Sequence, residues 1–270
     1  MARQGGGRLV RPHQAVERES GMTTARRAWP AVPEPVAPSR PHLAGRTWPA
    51  VNFPVSTREV IAVIDLYAWR TTNGLRATIA LAESGLPHRV IPIDVGAGAH
   101  KTDEYRRINP ASQIPALVDP AGPGGKPLVL AQSGAIVLYA CQKAGRFVPG
   151  DDAGRALAMQ WAWQAGTDVG GTSAAMNQVE VVSPEKVPAH IDLFRKRFLR
   201  YFGVVEQHLA GRDYLAGELS YADFVLYPNY ALRADALDPV AFPALTAWAG
   251  RLAARPGVID GMRLYTEKRG

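Results

Sequence analysis

The chain has 270 residues, a formal net charge of +7 and 47% hydrophobic residues. That apolar fraction supports packed cores and excludes wholesale disorder, and a single cysteine excludes an internal disulfide framework, a C-x-x-C redox pair and a cysteine-based structural zinc site. There is no apolar run of roughly 18 residues and no apolar leader core at the N-terminus, so a cytoplasmic protein without a spanning helix is expected.

Residues 1–60 come first and differ from the rest. They hold nine Arg, no Lys, four Glu and no Asp, a net +5, and eight of the 22 prolines, whereas the other 210 residues carry only +2. Proline at that density defeats both helix and sheet. The stretch therefore reads as an extended tail, with Trp29, Trp48 and Phe53 as candidate surface anchors. Glu17-Arg18-Glu19-Ser20-Gly21 is readily encoded by purine-rich codons, as a ribosome-binding site would be, which makes Met22 an alternative start. Basic charge alone suggests a polyanion partner, but no interleaving of aromatic and basic residues supports nucleic-acid binding.

From about Ile61 the pattern changes. Val63 to Tyr67 is a β-rich run, and after Thr71-Thr72-Asn73-Gly74 the apolar Leu75, Ile79, Ala82 and Leu86 follow the helical period until Gly85 and Pro87 stop it. Arg89–Ile93 predicts a second strand, Asp103–Ile108 a short helix, Ile114–Val118 a third strand and Leu128–Leu130 a fourth. Ser133 is expected to cap a helix ending at Gly145. The order β-α-β-α-β-β-α places one α/β domain over residues 61–148.

A helical domain is expected over residues 153–265. Gly154–Gly166 is rich in Ala and Trp, and Ile191, Phe194, Phe198, Phe202, Val205 and Leu209 form one apolar stripe on a long helix. Ser220-Tyr221-Ala222-Asp223 reads as a capping box with Asp in place of Glu. Leu245, Trp248 and Leu252 mark a last helix before Arg255-Pro256-Gly257.

Several separated motifs carry a family resemblance over about residues 62–265. They are Ile108-Asn109-Pro110 with Ile114-Pro115-Ala116-Leu117, then Gln132-Ser133-Gly134-Ala135-Ile136, then Ser220-Tyr221-Ala222-Asp223. In this order and spacing the chain resembles the glutathione S-transferase superfamily, which implies a thioredoxin-like α/β domain followed by an all-α domain. Trp69-Arg70-Thr71-Thr72-Asn73-Gly74, Asp94–Gly98, Ser183–Pro188 and Arg200–Val205 resemble the bacterial nu-class transferases, also described as disulfide-bond oxidoreductases. That resemblance implies a homodimer that uses glutathione and a small-molecule co-substrate, a disulfide or an electrophile. It calls for no metal, no nucleic acid and no membrane.

Glutathione chemistry needs a thiolate, whereas a free cysteine-type thiol has a pKa of about 8.5. The Thr71 hydroxyl and the Asn73 amide can donate to sulfur, and the helix starting near Gly74 aims its free N–H groups and positive dipole end at the same place. Together they are expected to lower the thiol pKa by about one to two pKa units. A simple turn plus helix cap is the competing reading of these four residues. The resemblance implies a cis peptide before Pro115, with the Ile114 main chain pairing with glutathione as an added strand. It also implies that the γ-glutamyl carboxylate sits at Gln132 and Ser133, where a helix N-terminus offers N–H groups.

Other residues depart from the family pattern. Gln113 stands where Lys or Arg often reaches the glycyl end of glutathione, and His100 is the candidate substitute, with a solvated loop histidine as the alternative. Leu193 replaces a subgroup Arg, with Arg195, Lys196, Arg197 and Arg200 nearby. Trp161 and Trp163 are candidates for an apolar co-substrate pocket, with core packing as the alternative. Cys141 reads as a buried structural thiol, so the reactive sulfur is expected to arrive with glutathione. The rival to an enzyme is a non-catalytic interaction module of the same fold.

Overall fold

The computed structural model describes residues 62–266, and side chains as far as residue 263. The basic tail, its anchors and the Met22 alternative lie outside these residues.

The first unit builds a sheet from β1 (Ile64–Ala68), β2 (His88–Pro92), β3 (Ala116–Asp119) and β4 (Leu128–Ala131), in the order β2-β1-β3-β4. β1 and β2 are parallel, because α1 (Thr72–Ser84) crosses between them, while β3 runs antiparallel to both β1 and β4. Ile64, Leu66 and Ala68 of β1 alternate into the core. Two more helices, α2 (Asp103–Ile108) and α3 (Ser133–Ala144), complete the unit, and Gly145 closes α3 in the left-handed conformation.

The helical unit follows as α4 (Asp152–Gln164), α5 (Gly170–Asn177), α6 (Pro188–Leu209), α7 (Tyr221–Ala231), α8 (Pro243–Ala253) and α9 (Pro256–Thr266). The apolar stripe foreseen on α6 is real at its C-terminal half, where Phe198, Phe202, Val205 and Leu209 are buried. No described helix is long and apolar enough to cross a membrane.

Two expectations need correction. The chain does not stop its helices at Arg255: Pro256 takes the first turn of α9, where its missing N–H costs nothing. The Ala/Trp-rich stretch lies in α4, and the helical path runs on through π-helical turns at Ala165–Val169 and Gln178–Val182. The third strand begins at Ala116 rather than Ile114, because the Ile114-Pro115 peptide is cis and sits ahead of the ladder.

α1 is the centre of the molecule. Ten of its residues are buried, far more than its apolar stripe accounts for, because it packs against the sheet, α3, α7 and α9. α9 comes very close: a Cβ on Gly261 would lie 2.5 Å from the Ile79 Cα, and one on Gly257 would lie 2.8 Å from the Glu83 Cα. Polar groups lock the contact. Thr78 Oγ1 donates to the Gly261 carbonyl at 2.8 Å, and Arg255 grips the buried Glu83 carboxylate through two bonds of 3.0 and 2.6 Å.

The capping box of α7 is present. Asp223 accepts from the Ser220 N–H at 2.9 Å and also from the Leu215 N–H at 3.1 Å and the Trp248 indole at 2.8 Å. One buried carboxylate thus ties the start of α7 to α8 and to the preceding loop.

Candidate active site

Two helix N-termini and one buried cation make the site. At the first, Thr71 is the N-cap of α1, and its hydroxyl oxygen accepts from the Gly74 N–H at 3.1 Å. A hydroxyl that accepts still has its own proton to give. Gly74 is required here, since a Cβ would lie 2.1 Å from the Trp69 carbonyl oxygen. The backbone therefore folds tightly back over the helix start and presents Thr71 and Asn73 together.

Asn73 is held by its oxygen. Its Oδ1 accepts from Arg76 Nη1 at 2.8 Å and from the Ser133 hydroxyl at 3.3 Å, which fixes the amide orientation and leaves both Nδ2 donors uncommitted among the described residues. The Ser133 contact joins the second N-terminus to the first across 60 residues of sequence.

At that second N-terminus the sequence expectation is modified. Gln132, not Ser133, is the N-cap of α3, and Ser133 is its first helical residue. The Ser133 hydroxyl makes no cap bond; its proton goes to Asn73. Gln132 sits at φ 72° and ψ 118°, a conformation that costs a non-glycine residue about 1–3 kcal/mol and that concentrates at functional sites.

Arg76 was not among the residues singled out from sequence, and it organises the rest. It is 3% exposed, and its guanidinium donates to Asn73 and, at 3.4 Å, to the Ser133 hydroxyl. It also donates to the Val225 carbonyl of α7 at 2.8 Å and to the Ala165 carbonyl at the π-turn at 3.0 Å. None of these acceptors is a carboxylate. Burial pushes its pKa down to about 10, which still leaves it fully charged at neutral pH. The available signal was an Arg three residues after Asn73, on the same face of an otherwise apolar helix.

A cleft of about 490 Å³ opens at this point. Arg70, Thr71, Thr72 and Asn73 line it from the start of α1, Gly170, Ser173, Ala174 and Asn177 from α5, and Asn229, Leu232 and Arg233 from the end of α7. Gly170 lies against the cation, as its absent Cβ would be 3.0 Å from Arg76 Nη2. Such π-turns recur at functional sites because they re-aim a helix without ending it.

The remaining candidates fall elsewhere. Ile114 and Pro115 form the cis bond ahead of β3, and Gln132 and Ser133 stand at the start of α3; none of the four lines the cleft. Gln113 is exposed, and its carbonyl accepts from Tyr105 Oη at 2.7 Å and from Asn109 Nδ2 at 2.6 Å, so that loop is pinned through its backbone. His100 lies on a short turn, Ala99–Lys101, with Nδ1 buried and unpartnered.

The structure sorts the other groups plainly. Trp161 is buried against His208, with ring centroids 4.1 Å apart, and Trp163 is 65% exposed, so neither lines the cleft. Trp161 thus takes the core-packing alternative. Leu193 is exposed; Arg195 and Lys196 are paired with Glu180 and Asp192, and Arg197 and Arg200 lie over Phe194 and Tyr201. Cys141 is buried, and burial pushes its thiol up to about 12, which makes it inert as a nucleophile near neutral pH.

A thioredoxin-like unit whose first helix opens on a cleft and is joined at Asn73 to the start of α3, followed by an all-helical unit, defines the glutathione S-transferase class of fold. Comparison with known proteins agrees. The family models "Glutathione S-transferase, N-terminal domain" and "Glutathione S-transferase, C-terminal domain" match residues 62–142 and 188–251. The Disulfide-bond oxidoreductase YfcG of Escherichia coli (strain K12) is 35% identical over 199 residues, covering 72% of this chain and 92% of that protein. Among solved structures, a glutathione transferase from Burkholderia graminis with two glutathione molecules bound per subunit is similar, with 31% identity and a TM-score of 0.71. The match covers 77% of this chain and 90% of that one. Another from Pseudomonas putida, with one glutathione disulfide bound per subunit, shows 28% identity and a TM-score of 0.70, covering 77% and 94%. The chain belongs to the glutathione S-transferase family.

Proposed function

We propose that the protein is a glutathione-dependent enzyme that reduces small disulfides or conjugates electrophiles, working as a homodimer. The observation that carries this reading is the Asn73 amide, locked by Arg76 and Ser133 with its donors uncommitted at a cleft it shares with the Thr71 hydroxyl. Thr71 and Asn73 donate to the glutathione sulfur. The N-terminus of α1 and the Arg76 cation behind it favour the anion there. The Ile114 main chain, beside Pro115, pairs with the cysteinyl backbone of glutathione. Gln132 and Ser133 receive the γ-glutamyl carboxylate through main-chain N–H groups of α3. Gln113 and His100 are the candidates for the glycyl end.

The relatives support the disulfide branch. One is named a disulfide-bond oxidoreductase, and similar structures hold two glutathiones or one glutathione disulfide. The thiolate does the chemistry, so its titration is the direct test. Ultraviolet absorbance of bound glutathione should give a thiol pKa about one to two pKa units below the free value, rising in Thr71→Ala and in Asn73→Ala. Turnover of hydroxyethyl disulfide should fall in parallel. Absence of both glutathione binding and turnover would favour a non-catalytic interaction module.

A further inference from the structure

The far wall of the cleft carries groups that glutathione activation does not use. Asn229 is 1% exposed, and neither its Nδ2 nor its Oδ1 has a hydrogen-bond partner among the described residues, although it lines the cleft. Burying an amide without partners is unfavourable, and such a side chain in a cavity wall marks a position that a bound molecule completes. The amide offers one donor and one acceptor end, so the fitting partner is itself amide-like.

The charge of the wall narrows the class further. Arg70 and Arg233 are among the residues that line the cleft, and no Asp or Glu is, among the described residues. Arg233 rests on Glu180 at 3.0 Å, but the same carboxylate also carries Arg195 at 2.7 Å, which leaves that cluster with one cation in excess. Arg70 is exposed and stacks over the Trp69 ring at 5.5 Å. Ala174 and Leu232 supply its aliphatic side chains. A wall of two cations and an unpaired amide disfavours a neutral apolar electrophile and suits a carboxylate.

We propose that Asn229, Arg70 and Arg233 select the co-substrate, and that it is a small disulfide carrying a carboxylate and a secondary amide, the chemistry of an N-acylated cysteine. The proposal rests on the glutathione reading of the site. The bound glutathione thiolate attacks one sulfur of the disulfide, forming a mixed disulfide and expelling the other half as a thiolate, which takes a proton from solvent. A second glutathione thiolate then attacks the mixed disulfide at the glutathione sulfur and releases the second thiol. Two glutathione thiols are oxidised to one glutathione disulfide, and one substrate disulfide is reduced to two thiols.

The test compares N,N′-diacetylcystine with its neutral bis-methylamide, each rate divided by that of the uncatalysed reaction with glutathione. The acid should be preferred in kcat/KM by at least about tenfold, and Arg70→Gln should reduce that preference about five- to tenfold. Asn229→Leu should lower kcat/KM for both compounds by about tenfold, since both present the amide. Arg70 is exposed, so its variant remains a clean test if Asn229→Leu fails to fold. Hydroxyethyl disulfide separates the two levels. If it is turned over but the acid is not preferred, or the preference survives Arg70→Gln, the selectivity proposal is overturned and the glutathione reading stands. If glutathione does not bind and no disulfide is turned over, the reading fails and the proposal falls with it.

Discussion

Replacing Arg76 by Met separates a cation kept for function from one kept for stability. Lowering an arginine pKa from 12.5 to about 10 corresponds to roughly 3 kcal/mol against the charged form at 1.36 kcal/mol per pKa unit. Three good hydrogen bonds oppose that cost, to Val225 O, Ala165 O and Asn73 Oδ1, each worth about 1.5–3 kcal/mol with a charged donor. Methionine removes both sides of this balance and keeps an apolar side chain of similar reach. The two carbonyls belong to helical turns and retain intrahelical donors, while Asn73 can turn to water. A net loss of about 1–3 kcal/mol follows, or a fall in Tm of about 3–10 °C for a unit of this size. The bound glutathione thiol should respond as well: without the cation and the anchored amide, its pKa should rise by about one pKa unit. Arg76→Lys should restore part of the pKa effect, since charge remains, but not the fork of bonds. Thermal unfolding by circular dichroism and thiolate absorbance give the two readouts. A Met variant that loses stability while titrating like the wild type would refute the reasoning and reduce Arg76 to a strut.

Further outcomes follow from neighbouring geometry. Gln132→Gly relieves the positive-φ conformation and should leave stability within about 1 kcal/mol, while glutathione affinity measured by calorimetry falls because the α3 N-terminus is less firmly held. Cys141→Ala should retain turnover, and the native thiol should resist N-ethylmaleimide until the protein unfolds. Burial raises the Asp223 pKa from 3.8 to about 6, so the folded state keeps a proton that the unfolded chain gives up near pH 4. The stability of the wild type relative to Asp223→Asn should therefore be greatest below about pH 4 and decline by about 3 kcal/mol as pH rises through 6, as urea titrations at several pH values would show.

Legibility in the sequence followed the range of the interactions. The α1 and α3 helices were readable because Gly85 and Gly145 end them locally, and the α7 start because Ser220 and Asp223 lie three residues apart. The π-turns were not, since Ala165–Val169 is shaped by packing and by Arg76 reaching in from α1. α9 was missed because Pro256 and Gly257 read as a stop, whereas Gly257 is there to let Glu83 approach. The site was half readable: Thr71, Asn73, Gln132 and Ser133 stand in short motifs. Asn229 and Arg233 gave no signal, because their meaning depends on the end of α7 facing the start of α1.

The same distinction explains why the site is built around a positive charge although the chain has only a modest surplus in this region. Nothing among the described side chains near Asn73 supplies a reactive sulfur, and the single cysteine is sealed in α3 with its thiol held neutral. A protein that borrows its nucleophile must stabilise an anion that is absent from its own folded state. On the proposed reading, the groups that would do so carry no carboxylate to cancel them: a helix N-terminus, the Thr71 hydroxyl, the Asn73 amide and a buried guanidinium satisfied by neutral oxygens. A carboxylate beside Arg76 would make the fold easier to form and the thiolate harder to hold. On the proposed glutathione reading, the Arg76 variants should therefore move the thiol pKa at a modest cost in stability.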